Sequence, residues 1–141
     1  MGKKAILLGV IIGVLISSCV PFAKPTEEGL RKRVEYLWQQ RLQGNWAATY
    51  DLLCAKSKKK VSREAFGKGS APVKQYEILS IEMSPDRRSA TVDVSITVEY
   101  MGFEFKGIRT RQEWLFESGQ WCLKLKPPRP LLAPAKREKR K

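Results

Sequence analysis

Residues 89–100, Ser89-Ala90-Thr91-Val92-Asp93-Val94-Ser95-Ile96-Thr97-Val98-Glu99-Tyr100, alternate polar and apolar side chains without an error. Successive side chains of a strand point to opposite faces. One face therefore carries Ala90, Val92, Val94, Ile96, Val98 and Tyr100, and the other Thr91, Asp93, Ser95, Thr97 and Glu99. That pattern predicts a strand with one face on a core and the other in water. Upstream, residues 73–83 make a strand with looser alternation, and Ser84-Pro85-Asp86-Arg87 supplies hairpin turn chemistry. Downstream, Gly102 and residues 103–107 predict a turn or bulge, followed by a long strand over 108–117. Glu117-Ser118-Gly119-Gln120 then turns the chain into a last strand, 121–126. Consecutive strands joined by short turns imply an antiparallel meander.

Ahead of residue 72 the apolar period is helical. Thr26 is placed to cap a helix, with Glu27 and Glu28 in the first turn, where carboxylates complement the helix dipole. Leu30, Val34, Leu37, Trp38 and Leu42 then form one apolar stripe, predicting a helix over 27–43 that Gly44 ends. Asn45 caps a second, short helix carrying Trp46, Tyr50, Leu52 and Leu53. Lys56 to Lys60 reads as a solvated connector, and Ser62 caps a turn or brief helix carrying Phe66. The predicted fold is α+β: N-terminal helices packed on a curved four-stranded antiparallel sheet, one domain over residues 27–126. The helices must cover one sheet face, because neither element can bury its apolar side alone.

The segment before this domain reads as a leader. Met1-Gly2-Lys3-Lys4 is cationic, and Ala5 to Ile16 contains no polar side chain. As a helix, that run would span about 18 Å against a hydrocarbon core of about 30 Å, which disfavours a permanent transmembrane anchor. The junction Ile16-Ser17-Ser18-Cys19 resembles the lipobox of bacterial lipoproteins: an aliphatic residue, two small residues that let a peptidase reach the bond, and a thiol that accepts diacylglycerol. The resemblance implies a signal peptide over 1–18, lipid attachment at Cys19, a tether over 19–26, and a chain held to the bilayer without spanning it. In such proteins an aspartate after the cysteine commonly means retention in the inner membrane. Val20 stands there, so the resemblance implies an envelope protein on the periplasmic face of the outer membrane in a cell with two membranes.

Removing Lys3 and Lys4 with the leader leaves 25 Lys+Arg against 14 Asp+Glu, so the mature chain is strongly basic. Residues 127–141, Pro-rich and then basic, carry a formal charge of +5 and read as a disordered tail. Such charge suits nucleic acid in a cytosolic protein, but export argues against that partner. Anionic lipid or an envelope polymer is the better electrostatic match for the tail. Of the three cysteines, Cys54 and Cys122 remain once Cys19 takes lipid. In an oxidising compartment they either form a disulfide or pack as small buried hydrophobes, and spacing alone does not choose.

The order of the domain's segments also resembles the nuclear-transport-factor-2-like superfamily, which includes ketosteroid-isomerase-like enzymes. The resemblance covers residues 27–126 and rests on an opening amphipathic helix, residues 44–53 (Gly-Asn-Trp-Ala-Ala-Thr-Tyr-Asp-Leu-Leu), residues 61–66 (Val-Ser-Arg-Glu-Ala-Phe), residues 76–81 (Tyr-Glu-Ile-Leu-Ser-Ile) and long strands ending in residues 119–125 (Gly-Gln-Trp-Cys-Leu-Lys-Leu). It implies a cone in which a curved sheet wraps around three helices and leaves a cavity at the wide end. Trp38, Tyr50, Phe66, Trp114 and Phe116, with Trp46 and Trp121, could line that cavity or simply fill a core.

Catalysis is not expected. The chain has no histidine, the commonest general base and metal ligand, and no clustered zinc-type ligand spacing. Neither a metal nor another cofactor is therefore predicted. The relatives use an inward aspartate and a tyrosine or second acid; the nearest matches are Asp93, Tyr50 and Tyr100, but Asp93 falls on the polar strand face, away from the helices. The reading is thus a membrane-anchored, non-catalytic lipoprotein binding a protein partner or a small apolar ligand in the envelope. The face bearing Thr91, Asp93, Ser95 and Thr97 is a candidate for homodimerisation. The competing functions are an exported isomerase- or dehydratase-like enzyme using the cavity, and an envelope-polymer or anionic-lipid binding module driven by the basic tail.

Overall fold

A computed structural model of the chain describes residues 23–126. The leader, Cys19, the first part of the tether and the tail over 127–141 lie outside the described residues. Three helices come first, α1 (Glu27–Leu42), α2 (Trp46–Asp51) and α3 (Ala55–Lys58). Four strands follow, β1 (Val73–Met83), β2 (Ser89–Tyr100), β3 (Phe103–Glu117) and β4 (Gln120–Lys124). The strands form one antiparallel sheet in sequence order, so the α+β meander expected from the periodicities is present. No described helix is long and apolar enough to cross a membrane.

Helix α1 starts where its chemistry says it should: the Thr26 hydroxyl accepts from the Gly29 N–H, and Glu27 and Glu28 occupy the first turn. Its stripe of Leu30, Val34, Leu37 and Trp38 is almost wholly buried. The inner sheet face meets that stripe with Ala90, Val92 and Val94 of β2 and Trp114 of β3, the set selected by the alternation. Trp121 closes the same core from β4, and its Nε1 donates to the Thr26 carbonyl at 3.2 Å. This bond fixes the start of α1 at the β3–β4 end of the sheet.

Helix α2 is capped by Asn45, whose side-chain oxygen accepts from the Ala48 N–H. A parallel bridge then joins Leu53 to Leu123: the Leu123 N–H donates to the Leu52 carbonyl at 2.8 Å, and the Cys54 N–H to the Leu123 carbonyl at 3.0 Å. Beside this bridge Cys54 and Cys122 form a disulfide with Cα atoms 4.8 Å apart. It ties the helical layer to β4 across 68 residues of sequence. In the chain-entropy picture, closing a loop of that size stabilises the fold by roughly 4 kcal/mol.

The structure corrects the sequence reading in four places. Residues 103–107 are not a turn: β3 begins at Phe103, and the reversal is made by Met101 and Gly102 alone, both with positive φ (51° and 81°) as a two-residue hairpin of right-handed twist requires. A bulge is present, but inside the strand, where the pairing steps from Val98↔Phe105 to Ile96↔Ile108 and Gly107 adopts φ 70°. The Lys56–Lys60 connector is in part α3, which buries Ser57 so that its hydroxyl accepts from the Leu125 N–H at 3.0 Å. That bond takes Leu125 off the ladder, so β4 ends at Lys124 and not at 126. Finally, α1 ends at Leu42, and Leu42, though on the predicted stripe, is 40% exposed.

Candidate functional site

The aromatic residues read as either lining a cavity or filling a core fall into separate places. Trp38 and Trp114 are buried at the centre of the core, and the Trp114 Nε1 donates to Gln112 at 3.3 Å. Trp38 stacks on Tyr76 of β1, with ring centroids 6.1 Å apart. Tyr50 and Phe66 meet edge to face at 5.8 Å, and Trp46 meets Phe66 at 5.7 Å, forming a smaller cluster. Phe116 packs on Trp121 at 5.4 Å. These rings fill space between the layers. A depression of about 390 Å³ opens beside the β1–β2 turn, where Glu82, Ser84, Thr91, Glu113 and Lys124 mix with Met83 and Trp114 along its walls.

Asp93 lies on the face away from the helices, where its carboxylate accepts two bonds from Arg111 at 2.8 and 2.9 Å. Those bonds, followed by the Arg111 charge, hold its carboxyl below the ordinary carboxylate range. Thr91, Ser95 and Thr97 share that half-buried outer face. Tyr100 is exposed at the hairpin tip, and the Tyr50 hydroxyl reaches only the Lys58 carbonyl at 3.4 Å. Among the described residues these three groups are not brought together. Cys54, Glu117 and Cys122 gather their ligand atoms within 4.8 Å, but both sulfurs are consumed by the disulfide, and the Glu117 carboxylate merely lies 3.7 Å from Cys122 Sγ. A metal site there would need both thiolates free.

The feature that periodicity could not reveal is at the β2–β3 hairpin end. Direct cross-strand partners share a face, so the register Ile96↔Ile108, Val98↔Phe105 and Tyr100↔Phe103 continues the apolar inner face outward from the buried Val92 and Val94. Val98 still packs against the core, and beyond it the face is exposed. Phe103 is 70% exposed, Tyr100 58% and Phe105 48%, with Met101 at the tip more exposed still. Single exposed apolar residues are ordinary, whereas here several lie on one end of the same sheet face. Among the described residues the adjacent edge of β3 has no further partner, since β4 pairs only with Glu113–Glu117. The sequence signal for this site was the aromatic content of residues 100–105, but alternation reports which face a residue occupies and not whether anything lies over it.

Arg41 packs on the aromatic rings of α1 and α2. Its guanidinium lies 4.7 Å from the Trp38 ring centre and 5.2 Å from that of Trp46. Burial lowers its pKa to about 10, so it stays protonated at neutral pH, and the indole faces supply the compensating attraction. Its Nε and the Trp38 Nε1 have no hydrogen-bond partner among the described residues.

No family model matches the chain, and no curated protein matches it.

Proposed function

We propose that the protein is an exported lipoprotein, acylated at Cys19, whose domain presents the exposed apolar end of its sheet to a protein partner in the cell envelope. The observation that carries the binding reading is the placement of Tyr100, Met101, Phe103 and Phe105 at the end of the sheet farthest from the start of α1. Strand β3 spans about 45 Å at ~3.3 Å per residue. The seven residues from Cys19 to Thr26 reach about 25 Å at most, so a lipid at Cys19 holds the β3–β4 end near the bilayer and leaves the aromatic end free to face outward.

The reading is non-catalytic, which is supported by Asp93 being engaged by Arg111 on the outer face, remote from both tyrosines. The nuclear-transport-factor-2-like architecture is part of the same proposal. Its support is the element order and the bulges in the β1–β2 and β2–β3 pairings, which bend a sheet around its covering helices. On that reading the exposed aromatic end is the mouth of the cone, and the periplasmic face of the outer membrane is the location.

A photo-crosslinking residue at position 103, compared with one at Thr91 on the outer face, tests the partner in intact cells. A discrete adduct of one mass from position 103, and not from position 91, is expected. The absence of any adduct from 103, or the same adducts from both positions, would refute the surface.

A further inference from the structure

We propose that the β2–β3 end takes a second copy of this chain, joined strand to strand along the edge of β3 about a two-fold axis through Phe105. The inference rests on the reading of this end as a partner surface and names the partner. Among the described residues β3 has a neighbour on its β4 side only over Glu113–Glu117, so the edge from Phe103 onward has none. Such an edge is a row of N–H and C=O groups that can accept another strand. Which of them point outward follows from the turn. Met101 and Gly102 form a two-residue loop, so the closing pair Tyr100↔Phe103 exchanges its hydrogen bonds within the hairpin. Alternation then turns the backbone groups of Phe105 toward Val98, and those of Glu104 and Lys106 toward the edge.

The sequence of this edge is its own antiparallel complement. Turning residues 103–107 about Phe105 sets Glu104 opposite Lys106 of the second copy, and Lys106 opposite Glu104 of the second copy. These are the two positions with outward backbone groups, so each pair is bonded through the backbone and matched in charge through the side chains. Within one copy the two side chains already share the outer face, the Lys106 ammonium 3.7 Å from the Glu104 carboxylate, and both are exposed enough to exchange partners. An axis through Glu104 or through Lys106 would instead set like charges opposite each other. Gly107, with φ 70°, sits in the bulge and ends the regular edge there.

The apolar face closes on the same axis. Phe105 meets Phe105 of the second copy in a pair without backbone bonds, the closer kind at about 4.5 Å between Cα atoms. Phe103 lies diagonal to it at about 7–8 Å, within reach of an aromatic ring. Phe103 is 70% exposed and Phe105 48% in the single chain, so both have area to withdraw from water in each copy. A two-fold pairing uses the same edge on both chains, so it closes as a dimer and does not grow into a fibre. A ladder this short makes an interface below about 1,200 Å², the range of weak association. Anchoring both copies to one bilayer raises their effective concentration and favours it.

The test is sedimentation of the full mature chain, residue 19 onward, with Cys19→Ser to keep it in solution, over about 1–300 µM. The parent is expected to pass reversibly from monomer to dimer across that range. E104K and K106E each set like charges opposite one another at both symmetry-related pairs. Each is expected to weaken the dimer by about tenfold or more with unchanged circular dichroism. Mixed in equal amounts, the two variants restore opposite charges at every pair, and association within about twofold of the parent is expected. A parent that stays monomeric throughout, association that E104K leaves unchanged, or an equimolar mixture that stays monomeric would overturn the proposal. So would a dimer that Thr91→Arg weakens and E104K does not, because that dimer runs through the outer face. A monomeric parent with a discrete adduct from position 103 to a different protein removes the second copy and leaves the partner surface standing. A charge-matched dimer with no adduct from position 103 in cells does the reverse.

Discussion

The two ends of β2 and β3 are built from the same kind of sequence and live in different surroundings. At the β3–β4 end Ala90, Val92 and Trp114 lie under α1, Trp121 bonds to the start of that helix, and the disulfide fastens the layers. At the β2–β3 end Tyr100, Phe103 and Phe105 continue the same face past the partly buried Val98 and are exposed. Burial of apolar area is what stabilises, at roughly 25 cal/mol per Å². The first end must therefore hold the fold together, and the second contributes little to it and is available for contact. Similar residues at equivalent strand positions are buried at one end and exposed at the other, and coverage alone makes the difference.

The sharpest way to break that contrast is substitution at the packed end. Trp114→Ala removes a fully buried ring and is expected to cost about 5 kcal/mol, read as a fall in the urea midpoint at constant slope. Next in size is the disulfide: C54S/C122S is expected to lose roughly 4 kcal/mol if loop closure is the main term. A loss near zero would mean that the Leu53–Leu123 bridge and its neighbours hold the layers unaided. In the helical layer, Arg41→Met exchanges a largely buried charge and its two indole contacts for an apolar chain of similar length. The lost attraction and the relieved desolvation oppose each other, so a change within about 1 kcal/mol is expected. Phe103→Ser should then fall within about 0.5 kcal/mol, although Phe and Trp are comparable in kind. A loss of several kcal/mol at Phe103 would show that the hairpin end is structural after all.

The smallest effect is on the outer face and concerns pH. Arg111 depresses the Asp93 carboxyl, and the Ser84 hydroxyl followed by the Arg88 N–H depresses that of Asp86. A carboxyl with a lowered folded value contributes stability above its unfolded value, about 3.9, and loses it as pH falls through the folded value. Stability should thus decline below about pH 4, and Asp93→Asn should flatten that decline slightly without moving the neutral-pH midpoint.

Much of the fold was legible because it follows from side-chain period. The errorless alternation of residues 89–100 fixed a strand and its inner face, and Thr26 and Asn45 marked helix starts that the hydrogen bonds reproduce. What escaped depends on neighbours remote in sequence. Ser57 looks like a polar residue in a lysine run, yet it is buried because Leu125 needs an acceptor. Residues 103–107 read as a turn or bulge; the bulge is present, and what escaped is that β3 already begins at Phe103 and absorbs it. Gly67 carried no signal at all. Its φ is +84°, and a Cβ there would sit 2.2 Å from the Trp46 ring, a close approach that only the folded loop creates. The candidate site was legible as aromatic content and illegible as exposure, since periodicity contains no information about where a covering helix stops.

The proposed orientation of the domain rests on the proposed acylation of Cys19, and intact mass of the protein extracted from membranes tests that directly. The account predicts a chain beginning at Cys19, lacking residues 1–18 and heavier by its acyl groups, with Cys54 and Cys122 two hydrogens lighter than their reduced forms. The Cys19→Ala protein should then be neither acylated nor retained in membranes. A membrane-bound parent with the mass of the unmodified chain, or a Cys19→Ala protein processed and retained like its parent, would contradict it.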